Sequence, residues 1–549
     1  MNRFCTLIAS AAVWAVASAR AADWPTYRGD YSRSGVSTQS LAGTPVVSWT
    51  WQSKHPPQPA WQGEAKWDGW NKVFDLKPRQ AFDRAFHVVV SGPRAYFGSS
   101  ADDQVRCLDT RSGKVLWSFF TEGPVRLAPT LQEGRIYFGS DDGCVYCLKS
   151  DDGQLIWKTR AVPTDRRIPG NSRIISAWPV RTSVVVQDGK VYVTAGMFPA
   201  DGVHLVALDA GTGTEVWRQV QNDLPAQGYL LASRSRLYVP AGRNNPAVCD
   251  IATGKRVRVV EGAGGTYALL TDDLLVFGPG KTGQLGAVED GSSDQLASFQ
   301  GNHMIVTGSR SYLHSDSEIS ALDRGRYLQL ARERKSISRQ QAELAKKAKS
   351  LASKAGTEAE REAIKKQLAD LGKRLDEATL AMDQCLLWKA PSIWPHCVIL
   401  SGDTLILGGS SEVAGMPVAS GKLGWKLPVP GMPTGWPPPM TRCLLAPIAG
   451  PFCAFVPRVP RNPLPLPTLR PLPGHEFCFF NTPRSLRPSF HRTEFVCPGN
   501  RPHRALGLCP GVGTERGHAI ARRQGVDLRG QTQTGEGSQS TADRASGPR

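Results

Sequence analysis

An eleven-residue motif recurs along this chain. Its first clear copy is Cys107-Leu108-Asp109-Thr110-Arg111-Ser112-Gly113-Lys114-Val115-Leu116-Trp117, and a second, Cys147 to Trp157, follows 40 residues later. A third copy, Ala207 to Trp217, comes 60 residues further on, with an insertion at about 163–179. Val248 to Val257 repeats the pattern without the tryptophan, and Ala414 to Trp425 is a degenerate copy. An Asp closing a strand, followed by Thr/Ser-Gly-Lys, makes a tight turn in which Gly takes positive φ. The Trp then lies on the returning strand, where a large ring can wedge between neighbouring sheets. Strand-like runs such as Arg135-Ile136-Tyr137-Phe138-Gly139 and Lys190-Val191-Tyr192-Val193 precede the motif. Four short strands per period of about 40 residues describe the blades of a β-propeller. Blades close at Trp117, Trp157, Trp217 and Val257, and further units run over 274–299, 304–322 and 398–425. That gives seven units, with an eighth expected to close the ring. The expected fold is therefore all-β, a seven- or eight-bladed propeller of four-stranded blades over 22–430.

One blade is split by a different periodicity. Over 326–385 the residues turn to Arg, Lys, Glu, Ala, Gln and Leu without proline, and Leu328, Ala331, Ile337, Leu344, Ala348 and Leu351 fall at three- and four-residue spacings. Ile364, Leu368, Leu371 and Leu375 continue it after the break at Ala355-Gly356-Thr357, where Thr357 and Glu360 offer a capping box. An inserted antiparallel helical hairpin is expected. It separates the Leu-Asp of Leu322-Asp323 from the Trp of Leu387-Trp388, two parts of a single blade turn. Most of its charges read as a solvated face, with a partner-docking arm as the alternative.

The ends of the chain depart from this regime. Asn2 and Arg3, the apolar run 4–16 and Ala19-Arg20-Ala21 form the pattern of a secretory signal peptide over 1–21. This run is too short to span a bilayer well, and no later run suits a transmembrane segment. A periplasmic or secreted protein is expected. From 431 to 549 there are 15 Arg, no Lys, 6 acidic residues, 19 of the 41 prolines and 5 of the 12 cysteines. Half of the formal charge of +18 lies there, so the hint of nucleic acid that a basic chain gives is not carried by the repeats, and no nucleic-acid partner is expected. Such a tail reads as irregular or disordered, or as translation out of frame. Codons made from the last base of one residue and the first two of the next give Ala at Met432–Pro433, Ala at Trp436–Pro437 and Asp at Met440–Thr441. The codons between them can complete Ala-Tyr-Gly-Leu-Ala-Ala-Ala-Asp-Asp, a strand opening and turn placed where an eighth blade is due. Residues 431–549 are accordingly expected to be an out-of-frame segment replacing the last blade.

Chemistry-bearing residues are sparse. Cys144-Val145-Tyr146-Cys147 is a CxxC within a strand, so its thiols should point to opposite faces as buried structural cysteines rather than share a metal. Cys385 and Cys397 flank a short loop and could form a disulfide in an oxidising compartment. Asp102-Asp103 and Asp141-Asp142-Gly143 are explained by turn formation without calcium. His87 and His204 stand without ligand spacing, Gly262-Ala263-Gly264-Gly265 lacks the context of a phosphate loop, and no catalytic residues can be assigned. The insertion carrying Asp165, Arg166, Arg167, Arg173, Trp178 and Arg181 is basic and edged with aromatic residues. Insertions on one face of a propeller often bind, so it is the expected interaction surface.

The AxDxxTGxxxW pattern resembles the PQQ-like (quinoprotein-type) β-propeller repeat, shared by pyrroloquinoline-quinone alcohol dehydrogenases and by the non-catalytic outer-membrane assembly lipoprotein B. Asp23-Trp24-Pro25-Thr26-Tyr27-Arg28, the run Phe82 to His87 and the run Phe97 to Asp103 look like exported PQQ-like repeat proteins of environmental bacteria. The resemblance covers about 23–430 and implies the fold more specifically than the function. On the assembly-factor side it implies a non-catalytic scaffold with a protein or small-ligand partner. On the dehydrogenase side it implies PQQ with calcium, but the adjacent Cys-Cys pair those enzymes carry beside the cofactor is missing here, as is a CxxCH haem motif. The expected function is an exported non-catalytic binding or scaffold propeller. The alternatives are a PQQ-dependent oxidoreductase, or the propeller part of a longer fused enzyme.

Overall fold

The computed structural model describes residues 23–429 except 42, 52, 61–82, 84, 171–172, 243, 262–263, 266, 279–283, 293, 353–355 and 410–411, together with 456–457. The signal-peptide reading of 1–21 and nearly all of the segment 431–549 lie outside the described residues.

Seven antiparallel sheets of four consecutive strands form a seven-bladed propeller. Blade 1 runs over 88–120, blade 2 over 130–160, blade 3 over 185–221, blade 4 over 231–259, blade 5 over 267–300, blade 6 over 303–391 and blade 7 over 397–428. All seven units read from the repeat are found. The expected eighth falls on residues outside the described ones. In each blade the innermost strand is short and buried, as in Val185–Gln187, whereas the outermost alternates, as in Val115–Phe120. That gradient is the one expected of sheets whose inner edge faces an axis and whose outer edge faces solvent.

The motif builds the turns between third and fourth strands. Asp209 accepts from the amides of Gly211 and Thr212 and from the Thr212 hydroxyl at 2.8–3.0 Å, and Gly213 stands at φ +74°. The tryptophans Trp117, Trp157, Trp217 and Trp388 each seat on the turn of the next blade. Trp117 Nε1 donates to Ser150 O at 3.1 Å with its ring over Gly153, and Trp157 Nε1 donates to Ala210 O at 3.1 Å with its ring over Gly213. Trp388 of blade 6 repeats this on Val418 O at 2.9 Å and Gly421. A side chain at these glycines would collide with the ring, so Gly serves the close approach as well as the turn.

A hydrophobic cluster lies in each seam between neighbouring blades, and a second one adjoins that between blades 7 and 1. Cys144 lies in the cluster between blades 1 and 2 and Cys147 in that between blades 2 and 3. The strand geometry thus turns the two thiols apart as expected. At the seam between blades 7 and 1, Val90 and Ala95 meet Ile399, Ile406 and Val413 only with N-terminal residues, Trp24, Leu41 and Trp49, added.

An N-terminal thread, 24–37, crosses the axis and touches every blade. Trp24 exchanges backbone bonds with Val90 at 2.8 and 2.9 Å, and Leu131 N donates to Pro25 O at 2.7 Å. Tyr31 takes the amide of Val186 on its hydroxyl and that of Ala232 on its carbonyl. Leu270 N donates to Ser32 O at 2.9 Å, Arg28 reaches Met304 O at 3.4 Å, and Leu400 N donates to Gly35 O at 2.9 Å. Val36–Ser37 ends the thread as a parallel strand beside Leu400 and Ser401. Its partners cluster near the ends where innermost strands turn into second strands, so the thread caps one end of the axis.

Blade 6 carries the helical hairpin, α1 (Arg324–Leu351) and α2 (Glu358–Asp383). Asp323, the end of a blade strand, caps α1 by accepting from Arg326 N at 3.1 Å. Leu328, Ala331 and Met382 join the cluster between blades 5 and 6, while Arg324, Arg332 and Arg339 pair with Asp273, Glu289 and Asp294 of blade 5. The base of the arm is therefore docked on the propeller. The capping box expected at Thr357 does not form. Its backbone is not in the extended conformation a cap needs, its hydroxyl donates to Leu351 O at 3.2 Å, and Glu360 pairs with Lys347.

Candidate functional site

With one end of the axis capped by the thread, the loops joining second to third strands and blade to blade gather at the other. There a chain of buried charges links three propeller segments and the N-terminal extension. Arg126, on the linker into blade 2, binds Asp141 at 2.6 Å and Asp83 at 2.9 Å, and also donates to Gln58 O at 2.7 Å. Arg181, on the linker into blade 3, grips both oxygens of Asp141 at 2.8 and 3.0 Å. Asp83 accepts in addition from Ala60 N at 2.8 Å. All four side chains are within 3% of full burial.

Two carboxylates thus face two guanidiniums in a site with no net charge. Burial alone would raise the pKa of Asp141, but Arg181 and Arg126 outweigh it and hold this carboxyl below the usual range. Asp83 shares only Arg126 closely, and there burial prevails and its pKa rises. Neighbouring Asp142 is also committed, accepting from Cys144 N at 2.8 Å and from the Tyr146 hydroxyl. Its role is local turn-making, as the sequence suggested. Asp141 has the further task of joining two linkers.

A divalent cation with a quinone would need carboxylates not already neutralised. Here Asp141 and Asp83 are neutralised by arginines, and among the described residues no group of three or more His, Cys, Asp or Glu is placed to hold a metal ion. The site does not fit such a group. The arrangement is a rigid, charge-balanced clamp.

The residues expected as an interaction surface are divided by this geometry. Arg181 is in the clamp, 3% exposed. Arg173 belongs to the hairpin Arg167–Gly170 and Arg173–Ser176 and pairs with Asp103, also reaching Gln58 Oε1 at 3.2 Å. Asp165 bridges Arg160 and Arg167 at 2.7 and 2.9 Å, and Arg167 continues to Glu122. Arg166 lies 5.9 Å over the Trp178 ring, and Trp178 Nε1 donates to Asp201 O at 2.7 Å. Near them Ile174 and Phe198 are 61% and 45% exposed. No disulfide joins Cys385 and Cys397. Cys385 closes the helical hairpin at the turn end of blade 6, its Sγ donating to Ala381 O at 3.5 Å, whereas Cys397 begins an innermost strand at the loop end. His204 is buried against Trp178 and Arg218, and His87 meets Tyr27 and Tyr229 edge-on. Arg126 lies in no motif, and the run Phe82 to His87 that contains Asp83 signals a resemblance and not a pairing.

The family model for outer membrane protein assembly factor BamB matches residues 50–178 and 101–340. Polyvinylalcohol dehydrogenase of Sphingopyxis sp. (strain 113P3) is 26% identical over 218 residues, 39% of this chain and 28% of that protein. The dehydrogenase subunit of the quinone alcohol dehydrogenase of Gluconobacter oxydans (strain 621H) is 29% identical over 24% of this chain and 18% of its own length. BamB of Yersinia pestis is 24% identical over 26% of this chain and 34% of that protein. The match to each of these relatives spans about a third or less of its length. Among solved structures, quinohemoprotein alcohol dehydrogenase from Comamonas testosteroni superposes with a TM-score of 0.50 at 12% identity, covering 76% of this chain and 74% of that one, which supports the propeller fold.

Proposed function

Because this chain belongs to the family described by the outer membrane protein assembly factor BamB model, we propose that it is an exported, non-catalytic propeller that binds a protein or small ligand in the cell envelope. The observation that carries this reading is the clamp of Arg126, Asp141, Arg181 and Asp83. At the end of the axis left open by the thread, the carboxylates are used to hold linkers together. The binding surface we assign is the insertion beside it, where Arg166 and Trp178 stand near exposed Ile174 and Phe198. Exposed apolar side chains set among cations suit a protein partner with acidic groups. The signal-peptide pattern of 1–21 supports export to the periplasm or beyond.

Titration of the purified chain with PQQ and calcium, followed by dye-linked alcohol oxidation, tests the reading. No binding and no turnover are expected. Stoichiometric binding with turnover would overturn it in favour of a PQQ-dependent oxidoreductase, the second reading, which the names of the dehydrogenase relatives favour. A third reading, the propeller part of a longer fused enzyme truncated by a frameshift, rests on their greater length.

A further inference from the structure

The tryptophan rule at the seams has one member outside the seven blades. Trp49 Nε1 donates to Thr110 O at 3.0 Å, and its ring covers Gly113 on the turn of blade 1. Trp117, Trp157 and Trp388 make the same contact from the outermost strand of a preceding blade. The likeness extends along the chain. Val47, Ser48, Trp49, Thr50 and Trp51 are exposed, exposed, half-buried, exposed and half-buried, the pattern of Val115 to Phe119 and of Leu386 to Ala390. Two residues after the docking ring, Phe119 meets Tyr146 of blade 2 at 5.8 Å, and Trp51 meets Phe97 of blade 1 at 5.1 Å.

Blade 7 does not supply this strand. Its own tryptophan, Trp425, folds over Gly415 of its own sheet, and Trp49 is what occupies the blade 1 turn. Trp49 packs against both hydrophobic clusters that blade 1 turns toward this seam, that of Val90 and Ala95 with Ile399 and Ile406 of blade 7 and that of Phe97 and Leu108. Blades 7 and 1 therefore meet across a position that carries the outer strand of a blade and not its inner three.

We propose that residues 44–51 are the outermost strand of an eighth blade, and that its three inner strands are encoded after codon 430, one base out of the frame translated here. Two observations name this occupant. The shifted codons from Met432 to Thr441 can read Ala-Tyr-Gly-Leu-Ala-Ala-Ala-Asp-Asp, an innermost strand followed by its turn. Among the described residues beyond 430, Val456–Pro457 pair antiparallel with Pro45–Val46, so this strand has an edge that accepts a strand partner. The proposal stands whether or not the propeller is catalytic.

Hydrogen exchange read by mass spectrometry tests it on two full-length chains, the present one and one with the frame shifted by a base after codon 430. In the present chain, residues 44–51 should exchange far faster than Val115–Phe120. In the shifted chain they should slow by about 100-fold, as should Trp425–Pro428, which would gain a neighbour. Equal exchange of 44–51 in the two folded chains overturns the proposal. So does protection of 44–51 in the present chain matching that of Val115–Phe120, because the strand would then already be paired. That second readout does not require the shifted chain to fold.

Discussion

At the scale of single residues, buried charge and buried imidazole set the chain's response to substitution and pH. Removing one member of a buried ion pair leaves the other charge uncompensated, at a cost of about 3–5 kcal/mol. Asp141→Ala strands Arg181 and leaves Arg126 with Asp83 alone, and should fall in that range by urea denaturation, whereas Asp165→Ala, at an exposed bridge, should hardly move the denaturation midpoint. His314 is fully buried, its Nε2 bonded to Trp394 O at 2.7 Å, its Nδ1 unpartnered, and Arg28, His396 and Asp316 around it. Burial lowers its pKa to about 4. The unfolded chain, with an ordinary value near 6.5, binds the proton first, so this histidine's contribution is intact above about pH 6.5 and is lost as pH falls toward 4. Denaturation at pH 7 and pH 5 should show a drop that His314→Gln reduces. An equal drop in the variant would assign it to other groups.

At the scale of elements, the helical hairpin is held by its apolar base more than by its visible ion pairs. Leu328→Ala removes a side chain from the cluster between blades 5 and 6 and should cost about 2–4 kcal/mol. Arg339→Glu, facing Asp294 at a side-chain exposure of 61%, should cost under about 1 kcal/mol. Amide exchange along α1 should quicken in the first variant and hardly change in the second. The hairpin, the seven blade units and the opposed thiols of Cys144 and Cys147 were all legible in the sequence, because each follows from a local period of 3.6, 2 or about 40 residues. The cap at Thr357 was misread because a capping box specifies residue types, and the tight connection from Leu351 set a backbone that cannot use them. The clamp was out of reach for another reason. Arg126 and Asp83 are 43 residues apart, in segments with no period, and only closure of the ring brings them together.

At the scale of the whole molecule, Arg33 ties the thread to the segments that lead into blades 3 and 4. It is 1% exposed and donates to Leu230 O at 2.7 and 2.9 Å, to Ser183 Oγ at 3.1 Å and to Thr26 Oγ1 at 2.8 Å, and among the described residues no carboxylate is bonded to it. Burial lowers its pKa to about 10. Arg33→Met should remove bonds to blades 3 and 4 together and cost more than about 3 kcal/mol, visible as a lower and broader thermal transition. A sharp transition unmoved in temperature would mean that the seams alone hold the ring.

The thread also sets an order of events. Arg28 bonds to Val398 O, a separation of 370 residues, and contacts so distant in sequence close slowly. Each blade can form as the chain emerges, but the earliest-made part of the propeller has nothing to complete until the latest-made part arrives. The intermediate that waits is an open arc with a bare inner rim and an unburied thread of aromatic and cationic side chains. It is in that interval, more than in the finished ring, that the chain is exposed to proteases and to its own copies.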